Sequence, residues 1–296
     1  MNIRFLLIVL VLSFIFNSSD ANMVDTNSVD KKKVILVSSS LALYFGGSFY
    51  YVQNAWWDDI SNDFHFDSGN DLIYALNVDK AGHFFGGVYA SDLFSSSFRW
   101  AGMKKSKSVL YGAVFGTGVQ LAIELKDAYA PYWGFSKWDL GLGSAGAIWP
   151  MIQHHIRSAR AIDFKFSYFK RSNIYWDLES QRGRDPNRFS WYDDYPNQTY
   201  WMSVDLDYFM DSEVIPKWLD VAFGFGLDDT QYLDEGLTKM GGNQEYYLAL
   251  DYDIEEILKK WDSPLAKKVK FFLKYVKLPA PTIRFTPELK FYPFFI

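Results

Sequence analysis

An imidazole, an ammonium group and several carboxylates stand near the ends of three predicted helices in the first half of the chain. They are Asp79, Lys80, His83, Glu124, Asp127 and Asp139. A histidine with carboxylates can bind a divalent metal, and His83 with Glu124 and Asp127 would suit zinc or manganese. The same groups could perform general acid–base hydrolysis, with His83 as the base. They could also form a structural ion-pair network, because buried charges persist only when they are paired.

Four helical segments must position these groups. The first, residues 34–57, carries no charge and follows three lysines, and the others are predicted over 79–100, 108–129 and 136–157. Glycine and proline interrupt the connections, and short connections make sequential helices antiparallel neighbours. The start of the second helix, the end of the third and the start of the fourth then lie at one end. This topology predicts that the ionisable groups gather there.

Small residues recur at four-residue spacing in three of these helices. They are Gly82, Gly86 and Ala90, then Gly112 and Gly116, then Gly143 and Ala147. A glycine inside a helix costs about 1 kcal/mol relative to alanine, so close packing between helices must offset that cost. The pattern predicts a tightly packed antiparallel four-helix bundle over residues 30–160.

The opposite end of the predicted bundle collects basic residues. They are Lys31, Lys32, Lys33, Arg99, Lys104, Lys105, Lys107, Arg157 and Arg160. This asymmetry favours membrane lipid headgroups or envelope polymers as partners, although solvated loops of mixed charge would look the same. The formal net charge of −5 gives no general attraction to nucleic acid, so no nucleic-acid partner is expected.

The first 21 residues have the pattern of an export signal. Basic Arg4 precedes an apolar run from Phe5 to Phe16, and Ser19 and Ala21 supply the small residues of a cleavage site. The run is too short to span about 30 Å of hydrocarbon. The chain contains no cysteine, which excludes disulfides, a cysteine zinc site and a thiol nucleophile. We therefore expect the protein to work outside the cytoplasm.

After about Ala161 the apolar period changes from near four to two. Alternating segments near residues 164–168, 200–208, 221–228, 246–253 and 283–291 predict an antiparallel, aromatic-rich β-region over 161–296. The fold class is therefore α+β. Residues 173–178 and 188–193 could add two strands, and residues 254–276 suggest one helix. The acids at 251, 253, 255 and 256 are expected at a solvated strand end.

Two architectures fit the β-region. One is a soluble β-domain closed by the helix near residues 254–276. The other is a membrane β-barrel, because 19 % of the residues are aromatic and eight strands make the smallest barrel. The sequence leaves both open.

Residues 79–84 (DKAGHF), 124–127 (ELKD) and 134–139 (GFSKWD), with Gly146 and Ala147, resemble the YfiM-like family of predicted periplasmic lipoproteins of unknown function. A looser likeness is to the VanZ-like membrane family. The resemblance covers roughly residues 75–150. It implies an envelope location, associated with the outer or inner membrane, and no established reaction.

Two features depart from these families. Both families place Asn or Asp four residues after the motif aspartate, where this chain has Gly143. The lipoprotein cysteine is also missing, so the lipid anchor implied for shorter relatives is not expected to carry over. We expect an exported cell-envelope protein with a binding or scaffold role. The alternative is a hydrolase or transferase acting on envelope lipid or glycan substrates through His83 and the neighbouring carboxylates.

Overall fold

The computed structural model describes residues 29–56, 63–69, 71–130, 133–183, 190–210 and 215–296. The predicted export signal lies outside these ranges. The chain forms two compact units. One contains the residues up to Asp67, Gly86–Arg157 and Lys260–Phe272, and the other contains Ser68–Phe85, Ser158–Lys259 and Leu273–Ile296. We call them the helical unit and the sheet unit.

Helices and strands follow one another as the change of period predicts. The longer helices are α1 (Lys31–Trp56), α2 (Val78–Trp100), α3 (Lys105–Asp127) and α4 (Lys137–His155). The later helices are α5 (Ile174–Gln181), α6 (Leu206–Met210), α7 (Ile254–Ile257) and α8 (Pro264–Leu273). Strands β1 (Ile162–Tyr168), β2 (Gln198–Asp205), β3 (Leu219–Leu227), β6 (Gln244–Tyr252), β7 (Ala280–Arg284) and β8 (Lys290–Phe295) form one antiparallel sheet. Between β3 and β6, β4 (Gln231–Leu233) and β5 (Lys239–Gly241) pair separately.

In the helical unit, α3 and α4 run antiparallel and touch through small residues. A Cβ on Gly116 would lie 3.1 Å from the Cβ of Ala147, and one on Gly143 would lie 2.6 Å from the Gln120 side chain. Such close approach is what offsets the helical cost of glycine. The α3–α4 pairing is therefore as predicted. The four-helix bundle as a whole stays a prediction.

Helix α3 turns its small and polar residues inward and its large apolar residues outward. Gly112, Gly116, Gln120 and Glu124 are buried. The exposed side chains are Leu110, Tyr111, Val114, Phe115, Leu121 and Leu125. Among the described residues, α3 is the one helix long and apolar enough to cross a membrane, judged by length and composition alone.

The predicted alternation in the sheet unit is confirmed, because the apolar residues share one face. The register aligns Phe164, Met202, Phe223, Leu248, Ile283 and Phe291 in one row across all six strands. The neighbouring row on the other face contains Lys165, Trp201, Gly224, Tyr247 and Arg284. Trp201 and Tyr247 are almost completely buried, whereas Phe223 is 50 % exposed. We call these the outer face (apolar) and the inner face (polar).

Contacts between distant strands show that the sheet curls around its inner face. Lys165 on β1 lies 2.6 Å from the Asp251 carboxylate on β6, although β2 and β3 stand between these strands. The ring of Trp201 on β2 lies 6.0 Å from that of Phe295 on β8. The free edge of β1 is covered by residues 275–277, since the Phe166 amide donates to the Tyr275 carbonyl at 2.8 Å.

Several sequence-based expectations for the sheet unit are wrong. Residues 174–181 form a helix, and β2 ends at Asp205 because its carboxylate accepts the Tyr208 amide, at 3.2 Å, and α6 begins. The predicted helix near 254–276 is interrupted between α7 and α8, before Pro264. Residues 184–189 of the proposed strand 188–193 lie outside the described residues, and 190–192 form a 3₁₀ turn. Asp251 is 1 % exposed rather than solvated.

Candidate functional site

The predicted site residues Asp79 and Lys80 form a buried ion cluster with Asp71, all in the sheet unit. The Lys80 ammonium contacts the Asp71 carboxylate, donates to the Asp71 carbonyl at 2.8 Å and to Asp79 Oδ2 at 2.9 Å. Asp79 and Lys80 are each 4 % exposed. An opposite charge at this distance stabilises each charged form, so the cluster offsets the cost of burying it. Sequence reasoning missed Asp71, which no helical spacing connects to Lys80.

A left-handed turn connects Asp71 to helix α2. Ala75, Leu76 and Asn77 have φ values of 46°, 48° and 69°. Non-glycine residues in this region cost roughly 1–2 kcal/mol each, so surrounding contacts must hold them. Gln244 supplies one such contact, because its side-chain amide donates to the Leu76 carbonyl at 2.8 Å. The Lys80 contacts to Asp71 close the turn from the other side.

Partly buried tyrosines line the same region of the sheet unit. The rings of Tyr74 and Tyr195 meet edge to face at 5.7 Å. Burial raises the pKa of both phenols, and the charges of Asp79 and Asp193 raise the pKa further. Tyr200 explains Gly82, since a Cβ there would lie 2.9 Å from the Tyr200 hydroxyl. For Gly82 the sequence therefore predicted the close approach correctly but assigned it to the wrong kind of neighbour, a helix rather than a strand.

A second group of predicted site residues meets in the helical unit, where α3 ends and α4 begins. Glu124, 1 % exposed, accepts the backbone amide of Ser136 at 2.9 Å. The Ser136 hydroxyl in turn accepts the Asp139 amide at 3.0 Å and caps α4. A carboxylate is favoured at a helix N-terminus because the helix dipole is positive there. The contacts among Glu124, Ser136 and Asp139 thus have a clear structural role.

His83 and Asp127 are the remaining predicted site residues. His83 lies on α2 one turn after Asp79 and is half-buried, and Asp127 is the half-buried last residue of α3. His83 and Lys80 belong to the sheet unit, whereas Glu124, Asp127 and Asp139 belong to the helical unit. Their gathering into one centre, and a metal held by His83, Glu124 and Asp127, stay predictions.

Position 143, where the resembled families have Asn or Asp, has a local explanation. A Cβ on Gly143 would lie 2.6 Å from Gln120 Oε1, and one on Gly87 would lie 2.0 Å from the Gly143 carbonyl oxygen. The Gln120 side chain therefore occupies the space beside α4 that a residue 143 side chain would need. Any role that required an Asn or Asp side chain at position 143 is absent from this chain.

The inner face of the sheet holds two further ion clusters that the sequence reasoning missed. Glu245, which is fully buried, pairs with Arg284 at 2.6 Å and contacts Arg171. Asp251 pairs with Lys165 at 2.6 Å and lies 3.6 Å from Lys277. Within single strands, the sequence alternation separated Lys165 and Asp251 from the apolar residues. It gave no signal for Arg171 and Lys277, which lie outside the strands.

A family model described as a predicted periplasmic lipoprotein (DUF2279) matches residues 66–154, less than a third of the chain. Over this range the chain is similar to a family of predicted periplasmic proteins of unknown function. This is a cell-envelope protein. The matched range contains the left-handed turn, the Lys80 cluster and the Glu124–Ser136–Asp139 contacts. The YfiM-like and VanZ-like resemblances stay predictions. No curated protein and no solved structure matches the chain.

Proposed function

We propose that the protein has a binding or scaffold role in the cell envelope, and that Lys80 and its acids stabilise the fold rather than catalyse a reaction. The observation that carries this proposal is that acceptors are present for all three N–H donors of the Lys80 ammonium group. An ammonium group has three donors, and the Asp71 carbonyl, the Asp71 carboxylate and Asp79 Oδ2 supply three acceptors. A proton transfer from Lys80 would break contacts that hold the turn before α2.

The Glu124 contacts support the same role. Glu124 and Ser136 join the end of α3 to the first turn of α4, which is the function of a helix cap. Such a cap accepts hydrogen bonds from backbone amides. Neither group needs a substrate to explain its burial.

An exposed basic end of the helical unit is the binding surface that we propose. The Asp30 amide donates to the Ala101 carbonyl at 3.1 Å, so the start of α1 lies beside the connection that leads into α3. The exposed basic residues of these segments are Lys31, Lys32, Lys104, Lys105 and Lys107. Because α3 and α4 are antiparallel, exposed Arg157, just after α4, belongs to the same end. Anionic lipid headgroups are the partner that fits, with anionic envelope polymers as the alternative.

Vesicle binding tests this surface. The full chain is mixed with two kinds of vesicle. One contains phosphatidylcholine alone, and in the other about one third of the lipid is anionic phosphatidylglycerol. Each lysine near an anionic surface contributes about 1 kcal/mol, so K104Q/K105Q/K107Q together should weaken binding to anionic vesicles by roughly 100-fold. The matched control is K217Q/K259Q/K290Q, which removes three exposed lysines from the sheet unit instead. Equal losses in both variants would contradict a localised surface.

A second experiment separates the scaffold role from the alternative hydrolase or transferase. Lys80→Met removes the ammonium group that contacts Asp71 and the buried Asp79, and should lower the free energy of unfolding by about 3–5 kcal/mol. Lys104→Met, at an exposed site, is the control and should change it by less than about 0.5 kcal/mol.

Metal analysis of the purified protein is the decisive measurement. A stoichiometric zinc or manganese ion that His83→Ala removes would favour chemistry at His83, Glu124 and Asp127, and would overturn the proposal.

A further inference from the structure

The six strands of the main sheet place every charged residue on one face. These residues are Asp163, Lys165, Asp205, Asp220, Glu245, Asp251, Arg284 and Lys290. The sheet curls around this face, and Lys165, Asp220, Glu245 and Asp251 are buried. In a sheet that packs on a core and faces water, apolar residues are buried and charged residues are solvated. Here the arrangement is reversed.

Ion pairs compensate the burial of Lys165, Glu245 and Asp251, whereas burial raises the pKa of the fourth buried charged residue, Asp220, to about 7. Glu245 binds Arg284 and contacts Arg171, and the Tyr247 hydroxyl donates to Glu245 at 2.6 Å. Asp251 binds Lys165 and accepts the Ser203 hydroxyl at 2.6 Å. Paired and hydrogen-bonded charges are those that an interior tolerates. The inner face is therefore the interior of this unit.

The outer face carries no charged residue, and much of it is uncovered. Over β1 the rings of Phe84 and Phe164 pack at 4.6 Å. Farther along the sheet the side chains are 36–62 % exposed at Met202, Phe223, Tyr246, Leu250, Ile283 and Phe291. We call these six residues the outer patch. The outer patch extends over five neighbouring strands, and an exposed apolar patch of this kind is typical of a surface that contacts a protein or a membrane.

The ends of the central strands differ from their middle. Near one end Trp218 stacks on Tyr252, with ring centroids 6.1 Å apart. Near the other end the Tyr246 hydroxyl donates to Gln244. Phe223 and Leu248 lie between these ends. Tryptophan and tyrosine at the two borders of an apolar band are typical of membrane–water interfaces.

The length of the central strands agrees with the thickness of a bilayer. Strands β3 and β6 have nine residues each. Nine residues extend for about 30 Å, close to the hydrocarbon thickness and to the 9–11 residues of a membrane strand. We propose that the outer patch contacts the hydrocarbon chains of a lipid bilayer. This inference goes beyond the proposed binding of anionic headgroups by the helical unit and does not depend on it.

The absence of cysteine from the sequence permits a clean test with single labels. Phe223→Cys on the outer patch and Leu237→Cys in the turn between β4 and β5 replace residues of similar exposure, 50 % and 48 %. Each full-length variant is labelled with an environment-sensitive fluorophore and reconstituted into vesicles of zwitterionic phosphatidylcholine, which carry no net charge. We expect a blue-shifted emission at position 223 that nitroxides on the acyl chains quench, and a water-like emission at position 237. Water-like emission at both positions would overturn the proposal.

A second copy of the chain is the competing occupant of the outer patch. A dimer would shift the emission at position 223 without vesicles, and spin labels at that position would show mutual dipolar broadening. That result also overturns the proposal. Vesicles without net charge separate this test from the proposed binding of anionic headgroups, because they contain no anionic lipid for the lysines of the helical unit.

A charge on the outer patch gives the quantitative test. Phe223→Lys should weaken partition into phosphatidylcholine vesicles by at least about 30-fold, whereas Leu237→Lys should leave it unchanged. Circular dichroism in detergent checks that both variants keep the fold. Equal partition of the two lysine variants would contradict hydrocarbon contact at Phe223.

Discussion

The two units bury polar groups by different means. In the helical unit, glycines let helices approach closely, and the backbone amide of Ser136 donates to the buried carboxylate of Glu124. In the sheet unit, Lys165 with Asp251 and Arg284 with Glu245 satisfy each other as ion pairs. Both units leave large apolar side chains outside, on α3 in one and on the outer face in the other. An apolar exterior is thus a property of both units, whereas the buried pairs Lys165–Asp251 and Arg284–Glu245 lie on the inner face of the sheet.

The comparison teaches how backbone geometry selects the polar interior. Helices have free amides at their first turn, and these amides can donate hydrogen bonds to a buried carboxylate. Strands within a sheet have already paired their amides with one another, so a carboxylate on the inner face needs a side-chain partner. The sheet unit therefore depends on charge pairs, and the helical unit depends on small residues and caps.

We expect the largest loss of stability from a substitution that breaks the ion pairs of the sheet unit. Asp251→Ala leaves Lys165 and Lys277 buried without their carboxylate, so we expect the free energy of unfolding to fall by about 3–5 kcal/mol. Chemical denaturation in detergent measures this loss. Asp229→Ala, at an exposed position, is the control and should have almost no effect. A loss below about 1 kcal/mol for Asp251→Ala would mean that the inner face is solvated.

We expect the next largest loss of stability from a substitution that disturbs the close packing of the helical unit. A Cβ on Gly87 would lie 2.0 Å from the Gly143 carbonyl oxygen, so Gly87→Ala should destabilise the protein by about 1–3 kcal/mol. Gly141→Ala on α4 meets open space and should instead stabilise it, by up to about 1 kcal/mol. Thermal unfolding distinguishes the two directions. Stabilisation by both substitutions would contradict the close approach of α2 and α4.

The N-terminal cap of α4 tests how much a single hydrogen bond to a backbone amide stabilises the helical unit. Ser136→Ala removes the hydroxyl that accepts the Asp139 amide and should lower the free energy of unfolding by about 1 kcal/mol. Ser106→Ala, in the exposed first turn of α3, should change it little. Urea unfolding measures both. Equal effects would show that the Ser136 hydroxyl adds nothing to helix α4.

The smallest effect concerns pH and the turn that leaves β3. Burial opposes the charge of Asp228, but hydrogen bonds from Asn243 and Thr230 outweigh burial and lower the pKa of its carboxyl. A lowered folded-state pKa gives stability above the unfolded pKa of about 3.9, and this stability is lost as pH falls through the folded pKa. Asp228→Asn should cost about 1 kcal/mol at pH 7 and flatten the stability profile below pH 4.

Stability of the wild type and of Asp228→Asn, measured from pH 2 to pH 7, checks this prediction. Asp234→Asn, in the exposed turn between β4 and β5, is the matched acid control. Parallel profiles for wild type and Asp228→Asn would contradict the lowered pKa of Asp228.

The sequence predicted the elements of the candidate site but not its full membership. The spacing of Asp79 and Lys80 placed them at the start of α2, and Ser136 and Asp139 at the start of α4. Asp71 could not be predicted, because a left-handed turn of Ala75, Leu76 and Asn77 brings it to Lys80. Such a turn has no spacing rule, since tertiary contacts rather than local propensity hold its strained backbone.

The sequence by itself determined which residues share a face, since periods of two and near four follow from strand and helix geometry. It thereby grouped Phe223 with Phe225 on one strand and Leu248 with Leu250 on another. Only the tertiary structure decided which face is interior. Burial depends on the partners that a face meets after the chain folds. In the sheet unit those partners, Arg171 and Lys277, come from outside the strands and make the charged face the buried one.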